Sequence, residues 1–171
     1  MIERCKNGDR KAFEALLAEY EKPVFNAAFR MLNSRDDASD VTQTVFLKVF
    51  ENFDHYDPSR RFFSWIYRIT LNESINWLGK SNRLEPLQYE TADEGMSPEQ
   101  AVDSANLSEG VQQALMSIKT DYRTVVVLKH FLGCSYVEMS NILEIPEKTV
   151  KSRLYSARQQ LKDALTGTGI H

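Results

Sequence analysis

The sequence predicts an all-α protein built as two small helical domains joined by a flexible acidic linker, on three observations. Apolar residues recur at three- and four-residue spacing in both halves of the chain. No stretch alternates apolar and polar residues convincingly enough to be a strand. Between the halves, Leu84 to Asn106 reads LEPLQYETADEGMSPEQAVDSAN, with six acids, no Lys or Arg, two prolines and one glycine, a linker composition. The expected division is therefore residues 1–83, a linker over 84–106, and residues 107–171, which a chain of 171 residues accommodates as two small units.

In the first unit, Phe13, Leu16, Leu17 and Tyr20 fall on one helical stripe, and Pro23 is expected to mark a break or the first turn of a new helix, because its ring nitrogen cannot donate. SRDDASD, Ser34 to Asp40, places a side-chain acceptor and negative charge where a helix N-terminus favours both. The helix that follows carries Val45, Phe46, Val49, Phe50 and Phe53 at helical spacing. DHYDPSRR is a loop by its Asp-Pro signal, and a further amphipathic helix is expected from about Phe62 to Ser81, with Trp65 and Trp77 assigned to packing. After the linker come helices over Leu107 to Ser117 and Asp121 to Phe131, then a closely spaced pair. Gly133 ends the second of these helices, Ser135 caps the next, and Glu144-Ile145-Pro146 separates the last two, the spacing of a helix-turn-helix. Pro146 costs no hydrogen bond at a helix start.

Composition narrows the function. At 42% hydrophobic and 26% charged the chain is an ordinary globular protein. No apolar run approaches a membrane span and MIERCKNGDRKAF lacks a signal-peptide core, so a cytoplasmic protein without membrane insertion is expected. Cys5 and Cys134 stand far apart outside any metal-ligand spacing and read as reduced thiols. The histidines are His55, His130 and His171, no acid pair recurs at ligand spacing, and no glycine-rich phosphate loop occurs. Neither an enzyme, a cofactor nor a metal is expected.

The net charge of −3 is unevenly spread. Arg60, Arg61, Arg68, Lys80 and Arg83 precede the linker with Glu73 as the one acid between Arg60 and Arg83, and Glu147 to Asp163 holds five bases against two acids. On a wheel of the last helix, Val150, Leu154, Ala157 and Leu161 form one narrow stripe that must face a core, while Lys148, Lys151, Ser152, Tyr155 and Gln159 face the other way. Cations, hydroxyls and an amide in one row suit the major groove and its flanking phosphates, with Arg153 and Arg158 placed to clamp the backbone. A merely solvated basic helix is the plainer alternative, and the two-helix spacing weighs against it.

DDASDVTQTVFLKVFENFDHYDPSRRFFSWIYRITLNESINWL, Asp36 to Leu78, followed after the linker by TVKSRLYSARQQL, resembles bacterial RNA polymerase sigma factors of the sigma-70 family, extracytoplasmic-function (ECF) group. The likeness runs from about Asp9 to Leu165. It implies a dissociable polymerase subunit that directs promoter-specific initiation, binds core RNA polymerase at its clamp and flap regions, binds promoter DNA, and is held by an anti-sigma factor. By position, Asp40, Gln43 and Phe46 match the clamp-binding motif, the plainer alternative being that Asp40 is only a cap and Phe46 only core. Asn52, Tyr56, Ile69 and Asn72 match the pocket for a base flipped from the non-template strand, with Arg60, Arg61, Arg68 and Lys80 on phosphates, and stacking plus an amide is sensible chemistry for such a pocket. In the last helix the expected contacts with the upstream element are Lys148, Thr149, Lys151, Ser152, Arg153, Tyr155, Ser156 and Arg158. The acidic linker is placed to thread the positive channels of polymerase, or to act as a plain tether. Glu144 stands at a turn position often held by Gly, and Ser140 at one often held by Ala. The competing reading is a stand-alone helix-turn-helix regulator that binds an operator as a dimer.

Overall fold

The computed structural model describes residues 1–84 and 103–167, so the central part of the expected linker lies outside the described residues. The order of elements is α1 (Ile2–Lys6), α2 (Arg10–Leu32), α3 (Arg35–Glu51), a 3-10 turn (Phe53–His55), α4 (Phe62–Leu84), then α5 (Asp103–Ser117), α6 (Thr120–Val126) running into a π-helical segment (Val127–Phe131), α7 (Tyr136–Leu143) and α8 (Glu147–Gly167). Every element among the described residues is helical, as the apolar spacing predicts.

The helix ends follow side-chain chemistry. Asp9 caps α2 by accepting from the Ala12 amide, and Ser34 caps α3 by accepting from the Asp37 amide. Ser135 and Glu138 form a reciprocal capping box on α7. Gly133 adopts a φ of 69° before it, a conformation in which a Cβ is strained. Pro23 does not end a helix: α2 runs through it. Leu16 on one side and Val24, Ala27, Ala28 and Met31 on the other are all buried, so one core stripe holds both halves in line. The carbonyl that Pro23 leaves without an intrahelical donor is that of Glu19, an exposed residue.

Helices α2, α3 and α4 pack on one another around Val41, Val45, Val49, Ile66 and Leu71, all 2% exposed or less. An aromatic cluster of Phe53, Tyr56, Phe62 and Trp65 closes one end, with ring centroids 5.0–6.0 Å apart. In the second unit, Leu115, Val125, Leu128, Met139, Val150 and Leu154 are buried between α5, α6, α7 and α8. Trp65 and Trp77 pack partly buried against the core, as their spacing predicts. Phe50 departs from the expected apolar stripe and is 65% exposed. Val45, Val49 and Phe53 take the inward line, and Phe50 stands a step of about 100° round the helix from Val49, its ring edge-on to Phe13.

The two units are not apart. Helix α4 lies on α7, and α2 lies against α5, α6 and the π segment. Their buried side chains form one continuous cluster.

Candidate nucleic-acid interface

Helix α8 is oriented as its sequence requires. Val150, Leu154 and Ala157 are at most 1% exposed and Leu161 is half-buried. The opposite face presents Lys148, Lys151, Ser152, Tyr155 and Arg158 to solvent, with Tyr155 67% exposed. Thr149, Arg153 and Ser156 lie on the half-buried flanks. Lys151 is loosely paired with Glu147 at 3.9 Å and lies 5.4 Å from the centroid of the Tyr136 ring, which also carries Lys129 at 4.6 Å. A row of cations and hydroxyls on a helix anchored from behind is a surface that accepts a polyanion. The turn before α8 is held by Ser140, whose hydroxyl donates to the Ile145 carbonyl at 2.6 Å. Arg158 Nε donates to His130 Nε2 at 3.2 Å. His130 must then be neutral at that nitrogen, and its pKa is lowered first by burial and then by the charges of Arg158 and Lys129.

The other basic group is divided. Arg60 is exposed, 4.0 Å from Asp57, in a loop whose turn is set by Asp57 accepting from the Ser59 amide and hydroxyl. Those bonds from Ser59 hold the Asp57 carboxyl below its ordinary pKa. Arg61 bonds Glu138 of α7 at 2.7 Å, and Arg68 bonds α7 as well. Lys80 is exposed and Ile69 half-buried. Asn52 ends α3, its side-chain amide donating to the Lys48 carbonyl at 2.9 Å. Tyr56 is turned inward: it is 5% exposed, its ring lies 5.0 Å from Trp65, and its hydroxyl donates to the Arg60 carbonyl. Asn72 stands instead on the wall of a cleft of about 220 Å³ between α4 and the second unit, together with Arg68, Ile75, Asp121, Glu144 and Arg153. The structure thus brings Asn72 near Arg153, one from each expected DNA surface, and sets Tyr56 away from both.

Helix α3 carries a third surface. Asp40 and Gln43 are exposed, and Phe46 is half-buried against the core. Gln43 and Phe46 help to line a shallow groove of about 410 Å³ between α2 and α3, with Ala18, Lys22, Phe25 and Thr42. Leu47 and Phe50, 58% and 65% exposed, continue the line of Asp40 and Gln43 at helical spacing. Sequence reasoning missed both as surface residues. The signal was present in the wheel, since a helix that already buries Ala38, Val41, Val45 and Val49 has no further inward position for them.

Residues 16–84 match the family model for sigma-70 region 2, and residues 108–161 match that for sigma-70 region 4. The chain is 34% identical to the ECF RNA polymerase sigma factor SigW of Bacillus subtilis, over 96% of this chain and 94% of that protein. The chain belongs to the ECF sigma factors. Within the family it is also 30% identical to the ECF sigma-E factor of Escherichia coli, over 94% of this chain and 90% of that one. Among solved structures it is similar to CnrH, determined in complex with the cytosolic domain of CnrY, with a TM-score of 0.76, 26% identity, and coverage of 97% and 95% of the two chains. As a sigma factor the protein directs promoter-specific transcription initiation by RNA polymerase, and the dimeric operator-binding reading is set aside. No helix among the described residues is long and apolar enough to cross a membrane.

Proposed function

We propose that this sigma factor divides its work among three helices: α8 reads the upstream promoter element, α4 and the loop before it bind and melt the downstream element, and α3 docks on the polymerase clamp. The observation that carries this reading is the two-sidedness of α8, with Val150, Leu154 and Ala157 buried and Lys148, Lys151, Ser152, Tyr155 and Arg158 outside. Lys and Arg there meet guanine acceptors or phosphates, and Ser and Tyr meet base edges or sugar.

On α4 and its loop, Arg60, Arg61, Arg68 and Lys80 hold phosphates, and Asn52, Tyr56, Ile69 and Asn72 serve the extruded base. Tyr56 reaches a base only after leaving its aromatic cluster, so its part follows a rearrangement of the 56–61 loop. On α3, Asp40 and Gln43 supply the polar part of the polymerase contact. Phe46, Leu47 and Phe50 supply the apolar anchors that such interfaces concentrate near their centre. The protein acts by binding and recruitment rather than as a catalyst. Its activity is restrained by an anti-sigma partner and released by a stress or envelope signal; the likeness to CnrH, solved in complex with the cytosolic domain of CnrY, supports the first part in that a protein of this fold is held by a second chain.

The test is run-off transcription with purified core polymerase on a panel of promoter templates, with and without this chain. Promoter-dependent transcripts that appear with the full chain and disappear with Lys148→Ala/Arg158→Ala support the reading. Transcripts indifferent to those substitutions remove α8 from promoter recognition. Unaided, tight binding of duplex promoter DNA by the isolated chain would return the operator-binding alternative.

A further inference from the structure

Helix α1 stands before the residues that match region 2, yet its last residue, Lys6, reaches the loop that precedes α4. The helix is fixed from two sides. Ile2 packs partly buried against the core and Cys5 is 9% exposed, so one edge of α1 faces inward. The turn after it passes through Gly8 at a φ of 87° and is fastened by Arg4, whose Nε and Nη2 donate to Asp9 Oδ2 at 2.9 and 2.7 Å. Asp9 is also the cap of α2. Lys6, next to the buried Cys5, is thereby aimed at Tyr56. Its Nζ donates to the Tyr56 carbonyl at 3.0 Å and lies 5.9 Å from the centroid of the Tyr56 ring, near the outer limit of a cation-π contact.

The loop that receives this bond is otherwise closed on itself. Asp57 accepts from the Ser59 amide and hydroxyl, the Asp57 carbonyl accepts from the Arg60 amide at 3.0 Å, and the Tyr56 hydroxyl donates to the Arg60 carbonyl. Arg60 reaches back to Asp57 at 4.0 Å. Residues 56–60 are thus tied to one another by their own polar groups and move as one piece. Two contacts hold that piece against the molecule: the Tyr56 ring among Phe53, Phe62 and Trp65, and the bond from Lys6. Among the described residues, Lys6 is the one side chain outside the loop that donates a hydrogen bond to residues 56–60. Arg61, just beyond, bonds Glu138 instead. The donor is an ammonium ion in a partly buried place, which makes this bond stronger than one between neutral groups.

We propose that Lys6 is a positioning residue for strand opening, a tether from α1 that keeps the Tyr56 ring turned inward and so sets how readily the 56–60 loop swings out. A Tyr56 ring that leaves the aromatic cluster carries its carbonyl off the Lys6 ammonium. The loss of that bond is added to the loss of the ring contacts. Helix α1, outside the matched region, therefore acts on the loop without touching the base. The use of the swing in melting rests on the reading of Tyr56 given above; the tether itself does not.

The test is fluorine NMR of the full chain carrying fluorotyrosine, with the Tyr56 signal assigned through Tyr56→Phe, paired with permanganate probing of promoter thymines at saturating core polymerase. Lys6→Met keeps the apolar stem and removes the ammonium. It is expected to raise the outward population of Tyr56, read by relaxation dispersion, about tenfold, the low end for a hydrogen bond from a charged donor. The signals of Tyr67 and Tyr136, away from α1, should stay in place and report an intact fold. With polymerase, open complexes should form several-fold faster than with the wild type. Lys6→Arg, which keeps a charged donor, should return both readings toward the wild type. Unchanged exchange at Tyr56 in Lys6→Met, or a freed Tyr56 with an unchanged or slower opening rate, overturns the proposal. Raised exchange at Tyr56 with no promoter opening by any form of the chain, wild type included, keeps the tether and removes the sigma-factor reading.

Discussion

Helix α8 and helix α4 are both basic, yet their cations are in opposite conditions. On α8, Lys148, Lys151 and Arg158 point to solvent from a helix fixed by its apolar underside. On α4, Arg68 is spent on the carbonyls of α7, and Arg61, just before the helix, is spent on Glu138. The residue types are alike and what stands opposite differs: solvent, with a distant Glu147 beside Lys151 and a neutral His130 beside Arg158, in one case, a helix C-terminus and two carboxylates in the other. A count of positive charge along the sequence does not separate a surface ready to bind from one already engaged. The geometry of helix ends does.

Arg123 is the extreme case and the strongest way to break the comparison. It is 5% exposed, its partners are carbonyl oxygens rather than carboxylates, and burial pulls its pKa below the ordinary guanidinium value. Removing it strands carbonyls at the ends of two helices. Arg123→Ala is expected to cost about 3 kcal/mol in urea unfolding, since hydrogen bonds from a charged donor are worth about 1.5–3 kcal/mol each and buried carbonyls lose their partner. Lys148→Ala, on the solvent side of α8, is expected to change stability by less than about 0.5 kcal/mol. Equal effects for the two would erase the distinction between engaged and free cations.

Next in size is a surface that is apolar rather than basic and largely open to solvent, with the edge of the Phe50 ring on Phe13 as its inward contact. Leu47→Asp/Phe50→Asp is expected to weaken core-polymerase binding by about 2 kcal/mol or more, roughly thirtyfold. The melting temperature should stay near that of the wild type, since both side chains are exposed. A large fall in melting temperature with retained affinity would instead make them packing residues. Smaller still is Lys151→Ala, for which the slope of log affinity against log salt on promoter DNA should flatten by about one ion. Because Glu147 lies 3.9 Å away, Glu147→Gln should strengthen the same binding slightly. An unchanged slope takes Lys151 off the interface.

Much of this architecture was legible from local chemistry. Ser34, Ser135 and Gly133 announced helix ends because the groups that satisfy or strain the backbone there are near in sequence. The inward stripe of α8 followed from a period of 3.6. Pro23 misled because a proline inside a helix is tolerated where packing on both sides holds the axis and the freed carbonyl belongs to an exposed residue, and neither condition is local. The departures Glu144 and Ser140 were visible as unusual residues, but their use was not: the partner of Glu144 is 76 positions away at Arg68, and that of Ser140 is the Ile145 carbonyl, an acceptor every residue carries. For the same reason the bonds from Arg68 to the carbonyls that end α7, and from Arg123 to the Met31 carbonyl near the end of α2, escaped the sequence altogether, because a guanidinium that binds carbonyls leaves no complementary side chain to recognise. Tyr56 matched a family position, whereas its burial depends on Phe62 and Trp65 folding back over the loop.

The smallest effect concerns His130, where α8 meets the π-helical segment. Arg158 donates to its Nε2, and burial with two neighbouring cations lowers its pKa from the ordinary value. In the unfolded chain the imidazole takes a proton near pH 6.5, whereas in the folded chain it does so only at lower pH. Above that range both states are neutral and the group is indifferent. As pH falls from about 6.5 through the folded pKa, the unfolded state gains the proton first and stability is lost. Protonation also removes the acceptor for Arg158 and sets two cations side by side, so this arginine turns outward as the pH drops. Urea midpoints of the wild type and His130→Gln between pH 7.5 and 5 are expected to diverge below about pH 6.5, with the variant losing less. Parallel curves would mean that His130 titrates as freely as in an unfolded chain, and that the Arg158 contact does not hold it neutral.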